Sequence, residues 1–147
     1  MEKKALITGI IGQDRRVVEF LSKQKHVKLA YLFGSVAEGR EGKLSDVDLA
    51  VFLDESLSKK EIFNLQLKLI SELTSILKTD RIDLVIMNDA PLLLKYNIIK
   101  HGKILKDDIE TKIRVESGIL SNYLDMKYYM DRHTNLAIKR IATRGLL

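Results

Sequence analysis

Apolar residues along the chain recur with two different periods, and their changeovers mark the elements. Over Asp14 to Lys25, Val17, Val18 and Leu21 fall on one side of a helical wheel with Arg15, Lys23 and Gln24 opposite, which predicts an amphipathic helix. Val27 to Phe33 (VKLAYLF) is short, apolar and β-prone and stops at Gly34-Ser35, so a strand is expected there. One helical turn is expected over Ser35 to Glu38, a polar loop over Gly39 to Ser45, and a second strand over Asp46 to Leu53 (DVDLAVFL). Ser58 and Glu61 form a capping box, and the helix it opens runs to about Leu77. Its Ile62, Leu65, Leu69, Leu73 and Ile76 make one apolar stripe. Arg81 to Met87 (RIDLVIM) predicts a third strand. Asn88 or Asp89 is the expected cap of the next helix, with Pro91 tolerated in its first turn and His101-Gly102 ending it. Lys103 to Leu105 is expected to be briefly extended, followed by a long helix from 107 to about 140 that Gly118 could break. Ile109, Ile113, Leu120 and Leu124 are its expected core-facing stripe, leaving Tyr128, Tyr129, Arg132 and the basic end for contact with a partner. The order of elements is that of an α/β or α+β domain.

Composition narrows the class without naming a function. A chain of 147 residues suits one domain, with a core over 1–105 and a helical appendage over 106–147. An apolar fraction of 46%, a charged fraction of 31% and a single Pro are globular values, which exclude disordered, collagen-like and low-complexity chains. The net charge of +5 is mildly basic and compatible with a nucleotide, RNA or acidic protein partner. Cysteine is absent, so disulfides, thiolate zinc sites, iron–sulfur clusters and thiol nucleophiles are excluded. Ala5 to Gly12 is far shorter than the roughly 20 residues of a membrane span and lacks a small-residue cleavage pattern, so a cytoplasmic protein is expected.

The chemistry concentrates between Tyr31 and Asp54. A strand delivers Gly34-Ser35, ten residues intervene, and the next strand opens with Asp46-Val47-Asp48. Strand side chains alternate faces, so Asp46 and Asp48 project from the same one. Two carboxylates about 4 Å apart repel by roughly 4 kcal/mol at an effective dielectric near 20, so a cation or a proton must relieve them. Hard oxygen ligands favour Mg²⁺, which takes its remaining ligands from water and substrate phosphates. Gly34 allows close backbone approach to a phosphate, and the amides and Ser35 hydroxyl of the turn after it are donors. Asp83 is a lone carboxylate in an apolar strand, and it joins the cluster if that strand neighbours Asp46 to Leu53. Together these features describe nucleotidyl or phosphoryl transfer.

Gly34-Ser35, ten residues and Asp46-Val47-Asp48 resemble the signature of the polymerase-β nucleotidyltransferase superfamily. Ile82-Asp83-Leu84-Val85, Asn88-Asp89-Ala90-Pro91, Ile99-Lys100-His101-Gly102 and Tyr123 to Tyr129 are similar to the minimal nucleotidyltransferase antitoxins of HEPN/MNT toxin–antitoxin modules. The resemblance implies a small mixed β-sheet flanked by helices, with a long C-terminal helical appendage. It implies that Asp46, Asp48 and Asp83 hold Mg²⁺, that Asp83 draws the proton from the attacking hydroxyl, and that Gly34 and Ser35 hold the phosphates of ATP. The implied reaction is transfer of AMP from ATP to a tyrosine of a cognate HEPN ribonuclease, which silences it. Glu38 departs from the pattern, since relatives commonly carry a basic residue there; Arg40 is the nearby substitute.

Plainer roles suit several other residues. Ser45 reads as a loop cap, Asp89 as an N-cap rather than a further ligand, and His26 and His101 as helix ends. His133 reads as a surface residue, and the aromatics Tyr123, Tyr128 and Tyr129 as packing rather than base stacking, so direct nucleic-acid binding is not expected. No Arg is followed by His at the four-to-six-residue spacing of the HEPN nucleases, so this chain is not the nuclease. Two further readings stay open: nucleotide transfer to a small molecule such as an aminoglycoside, and an antitoxin that acts mainly by docking. Homo- and hetero-oligomers are both compatible with the sequence.

Overall fold

A computed structural model of the chain describes residues 15–34 and 47–144. Helix α1 (residues 15–22) precedes strand β1 (Val27–Phe33), and β2 (Val47–Leu53), helix α2 (Lys59–Leu77) and β3 (Ile82–Ile86) follow. A 3₁₀ turn (Met87–Asp89), helix α3 (Leu92–His101), β4 (Lys103–Lys106) and helix α4 (Ile109–Arg144) complete the described chain. The four strands form one sheet in the order β3-β2-β1-β4, with β1 antiparallel to both β2 and β4, and β2 parallel to β3.

Alternation along the strands divides the core into two halves. Ala30, Leu32, Leu49, Val51 and Leu84 face one side, where Val17 and Leu21 of α1 and Leu69 and Leu73 of α2 cover them. Leu29, Tyr31, Ala50 and Phe52 face the other side, beneath Ile98 of α3 and Ile119 of α4. The capping box forms as the sequence predicts: Ser58 Oγ accepts from Glu61 N at 3.2 Å, and Ser58 N donates to Glu61 at 3.1 Å. Lys106 closes α1 by donating to the carbonyls of Leu21 and Gln24 at 2.9 and 2.7 Å. Burial, and secondarily the charge of Lys28, hold its ammonium pKa below the usual lysine value.

Four expectations give way. Asn88 and Asp89 do not cap α3, whose first residue is Leu92 with Pro91 at the N-cap position. Asn88 instead clamps the end of β2, accepting from Leu53 N and donating to Leu53 O, both at 2.9 Å. An amide side chain satisfies both backbone groups of one residue at once, which a helix cap does not require. Val18 of α1 is exposed, whereas Val17 and Leu21 are buried. In α4, Ile109, Ile113, Leu120 and Leu124 are all exposed, and the core-facing positions are Thr111, Val115 and Ile119. Both stripes have helical spacing; the contact with α3 and β1 selects between them. Gly118 interrupts nothing, for α4 runs unbroken through it.

A polar contact ties α4 to the sheet. The buried Tyr31 hydroxyl donates to Glu116 Oε2 at 2.7 Å. Burial first, and then the bond to Glu116, lift its pKa well above the ordinary tyrosine range, so it stays a neutral donor. Tyr31→Phe is expected to cost about 1 kcal/mol, because Glu116 loses a partner in a partly buried place. A thermal melt should therefore fall by a few degrees; an unchanged Tm would show that the bond contributes nothing. Among the described residues no helix is long and apolar enough to cross a membrane.

Candidate active site

The strand pairing gathers the candidate residues at one end of the sheet. Because β1 is antiparallel to β2, the C-terminal end of β1 lies beside the N-terminal end of β2, with Phe33 opposite Asp48. Because β2 is parallel to β3, both of these strands start at that end, and Asp48 is in register with Asp83. Residues in register across neighbouring strands point to the same face at a strand spacing of about 4.8 Å. Asp48 and Asp83 are thus neighbouring carboxylates on one face, Asp48 half-buried and Asp83 exposed. The start of β2 is pinned to the residue before β3 by a bond from Val47 N to Arg81 O at 2.8 Å.

Gly34 meets Asp48 directly. Its φ of +78° is in the left-handed region that glycine adopts without penalty. A Cβ at this position would strike Oδ2 of Asp48 and lie 3.1 Å from its Cγ. The glycine is therefore required twice, once by its own left-handed backbone and once by the carboxylate packed against it. Ser35 and Asp46, the other two candidates, lie outside the described residues, as do Glu38 and Arg40.

Asp48 and Asp83 offer hard oxygen donors on one face, one of them open to solvent, a donor set that suits a hydrated divalent cation. Among the described residues, no group of three acidic or histidine side chains is placed to hold a metal. Asp89 stands apart from the pair. It lies past the far end of β3 and lines a cleft of about 260 Å³ with Asp54, Glu55 and Asn88. His26 stands 3.8 Å from Asp54 at that same far end, and His101 is the last residue of α3.

Two residues near the site were not singled out by sequence reasoning. Phe33 shares the Asp48 face, and Tyr31 one repeat further on carries the bond to Glu116. The signal was the alternation within VKLAYLF, which puts both aromatics on the face of the carboxylates once the β1–β2 register is known.

The family described as polymerase beta, nucleotidyltransferase matches residues 15–111. The chain is 34% identical over 77 residues to the protein adenylyltransferase MntA of Shewanella oneidensis, a match that covers 52% of each protein. It thus spans about half the length of the curated relative it matches. A chain of a toxin–antitoxin complex crystallised with AMP-PNP superposes with a TM-score of 0.66 at 23% identity, over 85% of this chain and 98% of that one. A structure of tri-AMPylated Shewanella oneidensis HEPN toxin with MNT antitoxin gives 0.60 at 21% identity, over 86% and 96%. At these identities the structural likeness is one of fold.

Proposed function

Because the chain belongs to the polymerase-β nucleotidyltransferase family, we propose that it transfers AMP from ATP to a tyrosine of a HEPN-type ribonuclease partner and silences it. The observation that carries this reading is the register-matched pair Asp48 and Asp83 against the left-handed turn at Gly34. The likeness to a protein adenylyltransferase supports the choice of AMP and of a protein acceptor.

In this reading the backbone at Gly34 and the Ser35 hydroxyl receive the phosphates, and close approach depends on glycine having no Cβ. Asp46, Asp48 and Asp83 would hold Mg²⁺, which supplies charge neutralisation at the triphosphate and polarisation of the α-phosphate. Asp83 accepts the proton of the acceptor phenol, whose ordinary pKa near 10 leaves it a poor nucleophile at neutral pH. The tyrosine oxygen then bonds to the α-phosphorus, the bond from that phosphorus to the β-phosphate bridge oxygen breaks, and pyrophosphate leaves. The exposure of Asp83 leaves it within reach of a side chain presented by another protein. A catalytic core over 1–105, an appendage over 106–147 and a cytoplasmic location, where ATP is present, belong to the same reading.

The test is intact-mass spectrometry of a HEPN-type ribonuclease from the gene next to this chain's own, after incubation with the chain, ATP and Mg²⁺; a neighbour of any other kind would count against this reading. AMP-sized increments with release of pyrophosphate are expected. An unmodified partner whose nuclease is inhibited at stoichiometric ratio would replace this reading with inhibition by docking.

A further inference from the structure

Helix α4 carries one face well past the fold that it packs on. Thr111 and Ile119 are buried, Val115 joins the core, and Tyr123 stacks flat on Tyr96 of α3 at 3.6 Å and 7°. The same face continues through the half-buried Met126 to Met130, Thr134, Ala137 and Ile141, at spacings of 4, 4, 3 and 4 residues. From Lys127 to Arg144 every residue is exposed, including Met130 at 61% and Ile138 at 55%. Eighteen residues of helix extend about 27 Å. In proteins most helical stability comes from packing an amphipathic face, a packing that this segment lacks among the described residues.

We propose that the projecting half of α4, residues 127–144, is a docking helix. Its Met130–Thr134–Ala137–Ile141 seam lies along an apolar helix of the ribonuclease partner that is edged with carboxylates. The proposal rests on the function proposed above for the identity of that partner. Charge decides the kind of occupant. The segment holds Lys127, Arg132, Lys139, Arg140 and Arg144 against Asp131 alone. A second copy in parallel would set each of these charges against itself. Antiparallel about the middle, Lys127 meets Arg144 and Arg132 meets Lys139, with only Asp131 and Arg140 compensated. An acidic partner gains from the same charges, Arg140 and Arg144 flanking the seam on one side. RNA would gain from them too, but it offers nothing to the aliphatic seam. The small Thr134 and Ala137 let a partner helix approach closely, at the 8–10 Å of ordinary helix packing. Helix-in-groove recognition uses this kind of spaced anchor.

The experiment measures affinity of the full-length chain for the HEPN-type ribonuclease used in the transfer test, without ATP so that no transfer intervenes. Met130→Glu with Ile141→Glu should weaken binding about tenfold or more, while the melting temperature and Mg²⁺-ATP affinity stay unchanged. Arg140→Glu should weaken binding and flatten its salt dependence, whereas Asn135→Ala, on another face, should change it less than about threefold. Undiminished affinity in the doubly substituted chain overturns the docking helix, whether or not AMP is transferred. A wild-type chain that fails to bind the probe, or one that forms a dimer lost in Met130→Glu, overturns the assigned occupant. Seam-dependent affinity without any AMP adduct keeps the docking helix and overturns the transfer reaction.

Discussion

Asp48→Asn is expected to lower AMP transfer by about two to four orders of magnitude without unfolding the chain. Asparagine keeps the size of the side chain and removes the charge. Asp48 is half-buried at a strand start, packed against Gly34 with Asp83 beside it on the same face, so the isosteric change keeps its packing and relieves a repulsion. The melting temperature should change by no more than a few degrees. Asp83→Asn should differ in kind: transfer falls by a similar factor, but Mg²⁺-ATP binding falls less than in Asp48→Asn, because Asp46 and Asp48 still hold the metal while the acceptor proton loses its base. Calorimetric titration with Mg²⁺-ATP and turnover by intact mass separate the two roles. Full turnover in either variant would remove that residue from the site.

Gly34→Ala carries the second large effect, through the backbone. The left-handed φ costs a residue with a Cβ about 1–2 kcal/mol, and the new Cβ runs into the Asp48 carboxylate. Relief requires Asp48 to turn away or the end of β1 to shift. Transfer should therefore fall by at least about a hundredfold, while the two core clusters stay folded. Gly34→Asn separates the causes, since asparagine tolerates the left-handed conformation but still carries a Cβ. Equal losses in both variants are expected from the collision. Restoration of activity by asparagine would show that φ alone matters.

Where an element's signal is local, sequence and structure agree. Val27–Phe33 is the strand that VKLAYLF predicts, and α2 begins at the Ser58–Glu61 capping box and ends at Leu77. The bonds that make a cap or a strand boundary lie within a few residues, so composition over a short window contains them. The condition for Asp83 was different. Whether it joins Asp48 depends on β3 pairing with β2, and no feature of IDLVI contains that pairing. Asn88 shows the limit from the other side, since its helix-capping chemistry is diverted to Leu53, 35 residues away.

The sequence by itself determined most of the elements and the types of chemical group that follow β1 and open β2, because each depends on neighbours along the chain. The tertiary structure alone decided three things. It set the strand order β3-β2-β1-β4, which brings Gly34, Asp48 and Asp83 to one end of the sheet. It sent Asp89 to the opposite end. It chose which apolar stripe of α4 is buried, covering Val115 and Ile119 and leaving Ile113 and Leu120 in water. Periodicity makes two stripes of one helix equivalent, and alternation makes two strand partners equivalent. Only the surface that each one meets, with its shape and its bond to Tyr31, breaks the tie.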